Sequence, residues 1–100
     1  MSTKRGVGPV NLTADGPTRP IELGDSGRGI MMAAGDFGTP GGTLAVQVRL
    51  PDGAFANSTE VTQSLTAAGE VAFVLAPGVE CRLNLTGATS PDLNVQLITG

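Results

Sequence analysis

The sequence predicts an all-β protein, folded as one antiparallel β-sandwich or jelly roll of about eight strands. Three observations support this prediction. Apolar residues recur at every second position along several stretches, a period that is typical of half-buried strands. Clusters of Gly, Pro, Asp and Asn separate these stretches at spacings of roughly ten residues, and no segment shows a convincing helical pattern. A chain of 100 residues has room for a single domain.

The N-terminus is predicted to be an arm that precedes the sandwich. Residues 1–9 contain glycines and the adjacent cations Lys4 and Arg5, and no periodic pattern begins before Val10. We therefore divide the chain into a flexible or docking arm over 1–9 and a β-sandwich domain over 10–100. Lys4 and Arg5 are candidate partner-binding residues, since they can pair with acidic groups; a solvated tail is the alternative.

Three strands are expected before the first long loop. The first covers 10–13 and ends at the Asp-Gly-Pro turn 15–17, and the second covers 19–23 and ends at the polar turn 24–27. The third, 28–34, is apolar on both faces, through Ile30, Met31, Met32, Ala33 and Ala34. Such a strand is either buried on both sides or leaves one face for a partner, and Met31 is the candidate partner contact.

A glycine-rich loop is expected over residues 35–42. It contains four glycines and a proline, a density that neither a helix nor a strand ladder tolerates. Phe37 is the only large apolar side chain of this loop. We predict that it anchors the loop, and we include it among the candidate partner contacts.

The rest of the chain carries the clearest alternation. Strands are expected over 43–50, 70–75, 80–86 and 93–98, with one face formed by Leu44, Val46, Val48, Leu50, Val71, Phe73, Leu75, Cys81, Leu83, Leu85, Leu93, Val95 and Leu97. The stretch 54–65 is weaker. It alternates near its end, but Ser58 or Thr59 could instead N-cap a short helical turn.

The residue types exclude the commonest catalytic sites, and the chain is predicted not to be an enzyme. It has no His, so a Ser-His-Asp or Cys-His nucleophile lacks its base. Its one cysteine, Cys81, falls in phase with Leu83 and Leu85, which predicts an inert thiol in the core. Without His and with a single Cys, a zinc site is improbable. No cofactor and no metal are expected.

Acidic residues in turns leave two further interpretations open. Carboxylates clustered in loops are ligands that suit calcium, but turn aspartates also bond their own backbone, which is the preferred explanation. The residues concerned are Asp15, Asp25, Asp36, Asp52 and Asp92. A carboxylate pair for glycoside hydrolysis is the other possibility, although the chain has no Trp or Tyr to form a sugar platform.

Charge and hydropathy limit the partners. The net charge is −3 and the pI is about 4.6, and the six basic residues, spread from Lys4 to Arg82, form no basic stripe, which argues against nucleic acid. No stretch reaches the ~18 apolar residues of a membrane span, and residues 1–9 lack the apolar core of a signal peptide. We expect synthesis in a cytosol. Only 15% of residues are charged, and a polar surface with so few charges suits contacts with other proteins.

Stability is expected to be marginal for a lone copy. The chain has 15 glycines and only 3% aromatic residues, so it is rich in unfolded-state freedom and poor in side chains that bury large areas. Assembly would ease this shortage by burying further surface.

The C-terminal two thirds resemble a group of small proteins encoded in the structural modules of tailed bacteriophages. The matching segments are 37–38 and 42–48, the Pro-Asp-Gly turn 51–53, then 65–71, 81–90 and 93–97. The likeness is one of strands and turns, without a catalytic signature. Relatives often carry a Trp after the Asp-Gly turn and an aromatic before the arginine near the end. Phe55 and Cys81 occupy these places here, so an aromatic contact site is not expected.

The resemblance implies a virion component, in the first place a capsid decoration (cement) protein on the capsid surface. It implies the major capsid protein as partner and a homotrimer as the oligomeric state. The alternative is a head–tail adaptor, or a tail-fibre module that binds a receptor or another virion protein. High copy number on the head favours decoration, and a few copies at the tail favour the alternative.

Overall fold

The computed structural model describes residues 6–24, 26–39 and 41–99, and confirms the all-β prediction. The strands are β1 (Gly6–Leu12), β2 (Gly16–Pro17), β3 (Ile21–Glu22), β4 (Arg28–Asp36), β5 (Thr43–Arg49), β6 (Phe55–Asn57), β7 (Gly69–Val74), β8 (Glu80–Thr86) and β9 (Asp92–Thr99). No helix among these residues is long and apolar enough to cross a membrane.

The strands form two antiparallel sheets packed as a β-sandwich. The four-stranded sheet has the order β1-β9-β4-β7, and the five-stranded sheet has the order β2-β8-β5-β6, with β3 also paired to β8. Strands distant in sequence are therefore neighbours; β4 pairs with β9 over eight residue pairs, from Gly29↔Thr99 to Asp36↔Asp92. Such long-range pairing is usual in sandwiches.

The core lies between the sheets and is formed by the alternating apolar residues. Because side chains alternate between faces, paired strands present the same phase inward, as for Met31↔Leu97 and Val46↔Leu83. The buried apolar residues are Ile21, Leu23, Met31, Ala33, Phe37, Leu44, Val46, Val71, Phe73, Cys81, Leu83, Leu85, Leu93, Val95 and Leu97. The structure thus confirms Cys81 as a core residue. Leu50 departs from the expected phase, since it lies beyond the end of β5 and is exposed.

The N-terminal strands differ from their predicted bounds. β1 begins at Gly6 because β9 is eight residues long and offers Ile98 and Leu97 as partners; a register shift between Val7 and Val10 interrupts the pairing. The predicted arm 1–9 therefore overlaps β1 at 6–9, and its residues 1–5 lie outside the described residues. This extension has no alternating pattern of its own to signal it.

Other boundaries shift for the same reason. The expected strand 19–23 is reduced to Ile21–Glu22, and part of the expected turn 15–17 is the short β2, because both pair with β8. β4 extends to Asp36, two residues into the predicted loop, because Asp92 continues to pair with it. Pairing across the sheet, which is non-local, sets these ends.

The weak stretch 54–65 combines features of both predicted alternatives. β6 occupies its start, and the Ser58 hydroxyl then accepts hydrogen bonds from the amides of Glu60 at 3.2 Å and Val61 at 3.1 Å. This is the bonding of an N-cap, but no helix follows. Leu65 then returns to the sheet, exchanging backbone hydrogen bonds of 2.8 and 2.9 Å with Leu44.

Candidate functional site

The outer side of the four-stranded sheet carries exposed apolar side chains at one end. Ile30 on β4 pairs with Ala72 on β7 and with Ile98 on β9, and Val74 lies two residues along β7. We call these four residues the outer apolar face. Val74 is 64% exposed, Ile98 39% and Ile30 37%, so no segment within the described part of the chain covers them. Together with Arg28 they line a shallow depression.

The register of the sheet creates this surface. Strand alternation places Met31 and Ala33 in the core, so their neighbours must point outward, and β7 and β9 contribute apolar residues at the matching positions. Contiguous exposed apolar residues on a sheet face mark interaction surfaces more often than scattered ones do. The face therefore has the chemistry of a protein contact.

The opposite end of the same sheet face is polar. Asn11 on β1 donates a hydrogen bond of 2.8 Å to the Asp92 carboxylate and one of 3.3 Å to the Asn94 side chain. Glu70 and Gln96 lie between the two ends, on either side of Met32 in the register. The face thus changes from apolar near Arg28 to polar near Asp92, which is the arrangement of an apolar contact with a polar rim.

The outer side of the five-stranded sheet is polar and bonded within the chain. Arg82 Nε donates to Gln47 Oε1 at 2.8 Å, and Gln47 Nε2 donates to Asn57 Oδ1 at 3.1 Å. The Arg82 guanidinium also lies 4.1 Å from the ring centre of Phe55. An arginine of the same chain therefore covers this ring.

Arg49 is held in the same cluster. Its guanidinium lies 5.1 Å from the Phe55 ring centre, and its Nε lies 3.3 Å from Glu80 Oε2. Both arginines thus have partners within the chain: an aromatic ring, a carboxylate and an amide. This side therefore has fewer groups available to a binding partner than the outer apolar face has.

The predicted contact residues have different positions in the structure. Met31 has no exposed surface, and the exposed residues of its strand are its neighbours, beginning with Ile30. Phe37 is buried and anchors its loop as predicted, where its carbonyl accepts the Gly42 amide at 2.8 Å. Lys4 and Arg5 lie outside the described residues.

The residue chosen from the sequence, Met31, is thus buried, and the exposed apolar residue of the same strand is Ile30. The apolar pattern on both faces of 28–34 was the signal for an uncovered face. The same pattern could not identify Ala72, Val74 and Ile98 as parts of this surface. No local pattern in the sequence shows that β7 and β9 lie beside β4.

Three of the five aspartates, Asp15, Asp36 and Asp52, accept backbone amides, in agreement with the preferred explanation from the sequence. Asp92 accepts the Asn11 side chain instead, and Asp25 lies outside the described residues. Asp15 accepts the amides of Ala88 at 2.8 Å and Gly87 at 3.0 Å, and Asp52 accepts the amide of Ala54 at 3.0 Å. Within residues 6–24, 26–39 and 41–99 no three His, Cys, Asp or Glu side chains are close enough to share a metal ion.

The single thiol is placed where it is least reactive. Cys81 lies in β8 with no exposed surface, and desolvation by burial raises the pKa of the thiol to about 11. A thiol with a raised pKa holds little thiolate at neutral pH, so it is a weak nucleophile.

Comparisons with known proteins assign no family to this geometry. No protein-family model, no curated protein and no solved structure matches the chain. Among the described residues, the outer apolar face has the strongest chemical reason to bind a partner.

Proposed function

We propose that this chain is a non-enzymatic structural protein that binds and stabilises the capsid shell of a tailed bacteriophage, as a decoration (cement) protein. The outer apolar face carries the proposal. A protein that holds shell subunits together needs a stable body and a surface that binds by shape and apolar contact, and reactive side chains have no part in that task.

The partner in this proposal is the major capsid protein. The outer apolar face supplies a contact centre, and its polar end near Asn11 and Asp92 supplies a rim where hydrogen bonds set orientation. Lys4 and Arg5 add positive charge at the N-terminus, which suits acidic groups on a shell. In this proposal the chain is made in the host cytoplasm and resides on the capsid surface.

Locating the protein on particles tests the proposal most directly. Tailed-phage particles produced by cells that encode this chain are labelled with a gold-conjugated antibody raised against it, and its copy number is measured by quantitative mass spectrometry. We expect label over the shell and hundreds of copies in each particle. Label confined to the tail with a few copies would favour the head–tail adaptor or tail-fibre alternative, and unlabelled particles would refute both.

Substitution within the outer apolar face tests the surface itself. Val74→Asp and Ile98→Asp place a carboxylate where the proposal requires an apolar contact, so binding to shells stripped of this protein should weaken by at least roughly ten-fold for each. The measurement is occupancy on purified shells as a function of added protein.

Asn84→Asp is the matched control, because it adds the same charge on the outer side of the five-stranded sheet, at a position paired with Pro17 and Ala45. Its occupancy should stay within two-fold of the unmodified chain, as a rough bound. Equal loss in all three variants would show that charge alone, and no particular face, governs binding.

A further inference from the structure

β7 is an edge strand with one side unpaired. It is the last strand of the four-stranded sheet and pairs with β4 alone, over six residue pairs from Arg28↔Val74 to Ala33↔Gly69. Among the described residues, no backbone hydrogen bond joins Gly69–Val74 to any other segment. Alternate residues of β7 therefore direct their N–H and C=O groups away from the sheet.

The other edges of the sandwich carry protections that β7 lacks. β1 contains Pro9 and a register shift, β2 and β3 have two residues each, and β6 has three. Short strands, prolines and bulges are the usual means of blocking edge pairing. β7 has six residues, no proline, and Glu70 as its only charge.

We propose that two copies of this chain associate by antiparallel pairing of their β7 strands, in place of the homotrimer that the phage resemblance implies. The contact joins the two four-stranded sheets into one continuous sheet across a two-fold axis, with identical surfaces meeting. A second copy fits this edge because β7 is complementary to itself in one register.

The two-fold symmetry restricts the register. For the two cores to lie on the same side of the joined sheet, one residue of β7 must pair with the same residue of the second copy, and the two residues at the middle of the strand are Val71 and Ala72. With Ala72 on the axis, Val71 pairs with Phe73 of the second copy on the inner side. Glu70 pairs with Val74 of the second copy on the outer side.

Charge complementarity favours this register over its neighbours. Within each chain Val74 pairs with Arg28 on β4, and both are exposed on the outer side. Glu70 of one copy therefore lies two strands from Arg28 of the other, a backbone separation of about 10 Å that the two long side chains can span. The symmetry forms this pair twice. With Val71 on the axis instead, Glu70 faces Ala72 of the second copy and next to it Ile30, without a charge partner.

The association also enlarges the apolar surface. Ala72 lies on the axis and Ile30 beside it on β4, so the outer apolar faces of the two copies meet at Ala72 and form one patch. The inference stands without a capsid partner, because it depends on the strand edge alone.

The mass of the purified full-length chain in solution tests the inference. Sedimentation velocity over a roughly thousand-fold range of concentration should show a monomer passing to a dimer. Ala72→Lys brings two ammonium groups together across the axis and should raise the dissociation constant at least roughly ten-fold. Gln96→Lys adds the same charge on the same sheet face, on β9, and should leave the dissociation constant unchanged within roughly two-fold.

Exchange of charges tests the register. Glu70→Arg and Arg28→Glu should each weaken the dimer, and the chain carrying both substitutions should recover the original dissociation constant. Far-UV circular dichroism confirms that each variant is folded. A monomer at every concentration, a trimer, a dimer insensitive to Ala72→Lys, or failure of the double exchange to recover association would each overturn the inference. None of these measurements uses a capsid, so they are independent of the shell-binding test.

Discussion

Among single residues, Cys81 is the one whose chemistry burial changes most clearly. Its thiol cannot react in the folded chain, and its ionisation differs between the folded and unfolded states. Desolvation raises the pKa of the Cys81 thiol from 9.0 to about 11 in the fold. The chain has no Tyr, and Lys4 is its single lysine. Few other groups therefore titrate in the same range.

This shift predicts a loss of stability in alkali. Between pH 9 and pH 11 the unfolded chain releases the thiol proton while the folded chain retains it, so rising pH favours unfolding. The contribution is fully present below pH 9 and is lost as pH rises through about 11, for a total of about 3 kcal/mol. Urea titrations across this range should show the decline, and Cys81→Ala should flatten it. An equal decline in the Ala variant would contradict the assignment.

Met31 shows why a single residue is a poor guide to a surface. Its strand has apolar residues on both faces, and alternation alone distinguishes the two faces without showing which one the second sheet covers. The structure places Met31 inward and Ile30 outward. The distinction depends on Leu97 and Ile98, which pair with these residues from β9.

At the scale of elements, the short strands β2 and β3 are held to β8 by the residue between them. The Thr18 hydroxyl accepts the Leu83 amide at 3.0 Å and donates to the Arg19 carbonyl at 3.3 Å, while the Thr18 amide donates to the Leu83 carbonyl at 2.8 Å. Thr18 is buried, although its type is mostly exposed in proteins. Its side chain thus takes the place of a missing strand partner for β8.

Removing this hydroxyl should destabilise the fold. Thr18→Val keeps the shape of the side chain but leaves the buried Leu83 amide without its acceptor, at a cost of about 1–3 kcal/mol in the free energy of unfolding. Thr18→Ser retains the hydroxyl and should lose less. Urea unfolding monitored by circular dichroism measures both variants, and a larger loss in the Ser variant would show that the methyl group, and not the hydrogen bond, matters.

For the whole molecule, both the composition and the exposed apolar side chains indicate that a single copy buries limited apolar surface. The chain is rich in glycine and poor in aromatic residues, and its fold leaves Val74, Ile98 and Ile30 in solvent. Assembly with another copy or a partner would bury these apolar side chains and so stabilise the folded chain.

Assembly of this kind predicts melting that depends on concentration. Because a dimer is favoured by mass action, the melting temperature of the native chain should rise with protein concentration. The Ala72→Lys variant should melt at a temperature that changes little over the same range. A native chain that is monomeric throughout, with a melting temperature independent of concentration, would contradict both the expected marginal stability of a lone copy and the β7 pairing.

Local patterns predicted the elements best where a strand carries its own alternation. The strand expected over 80–86 coincides with β8, and that expected over 93–98 lies inside β9. β1 and β2 were placed poorly, because their strand conformation comes from pairing with β9 and β8 and not from their own residues. The glycines and prolines in these two strands are residue types that, in the sequence alone, indicate an arm or a turn.

The all-β class, the alternating core and the burial of Cys81 follow from the amino-acid pattern, because the period of two is a local property that any half-buried strand must show. Which strands are neighbours, which strand is an open edge and which apolar residues remain in solvent can be seen only in the folded chain. These depend on the pairing of segments far apart in the chain, such as β4 with β9. The candidate binding surface and the β7 edge belong to this second kind of information.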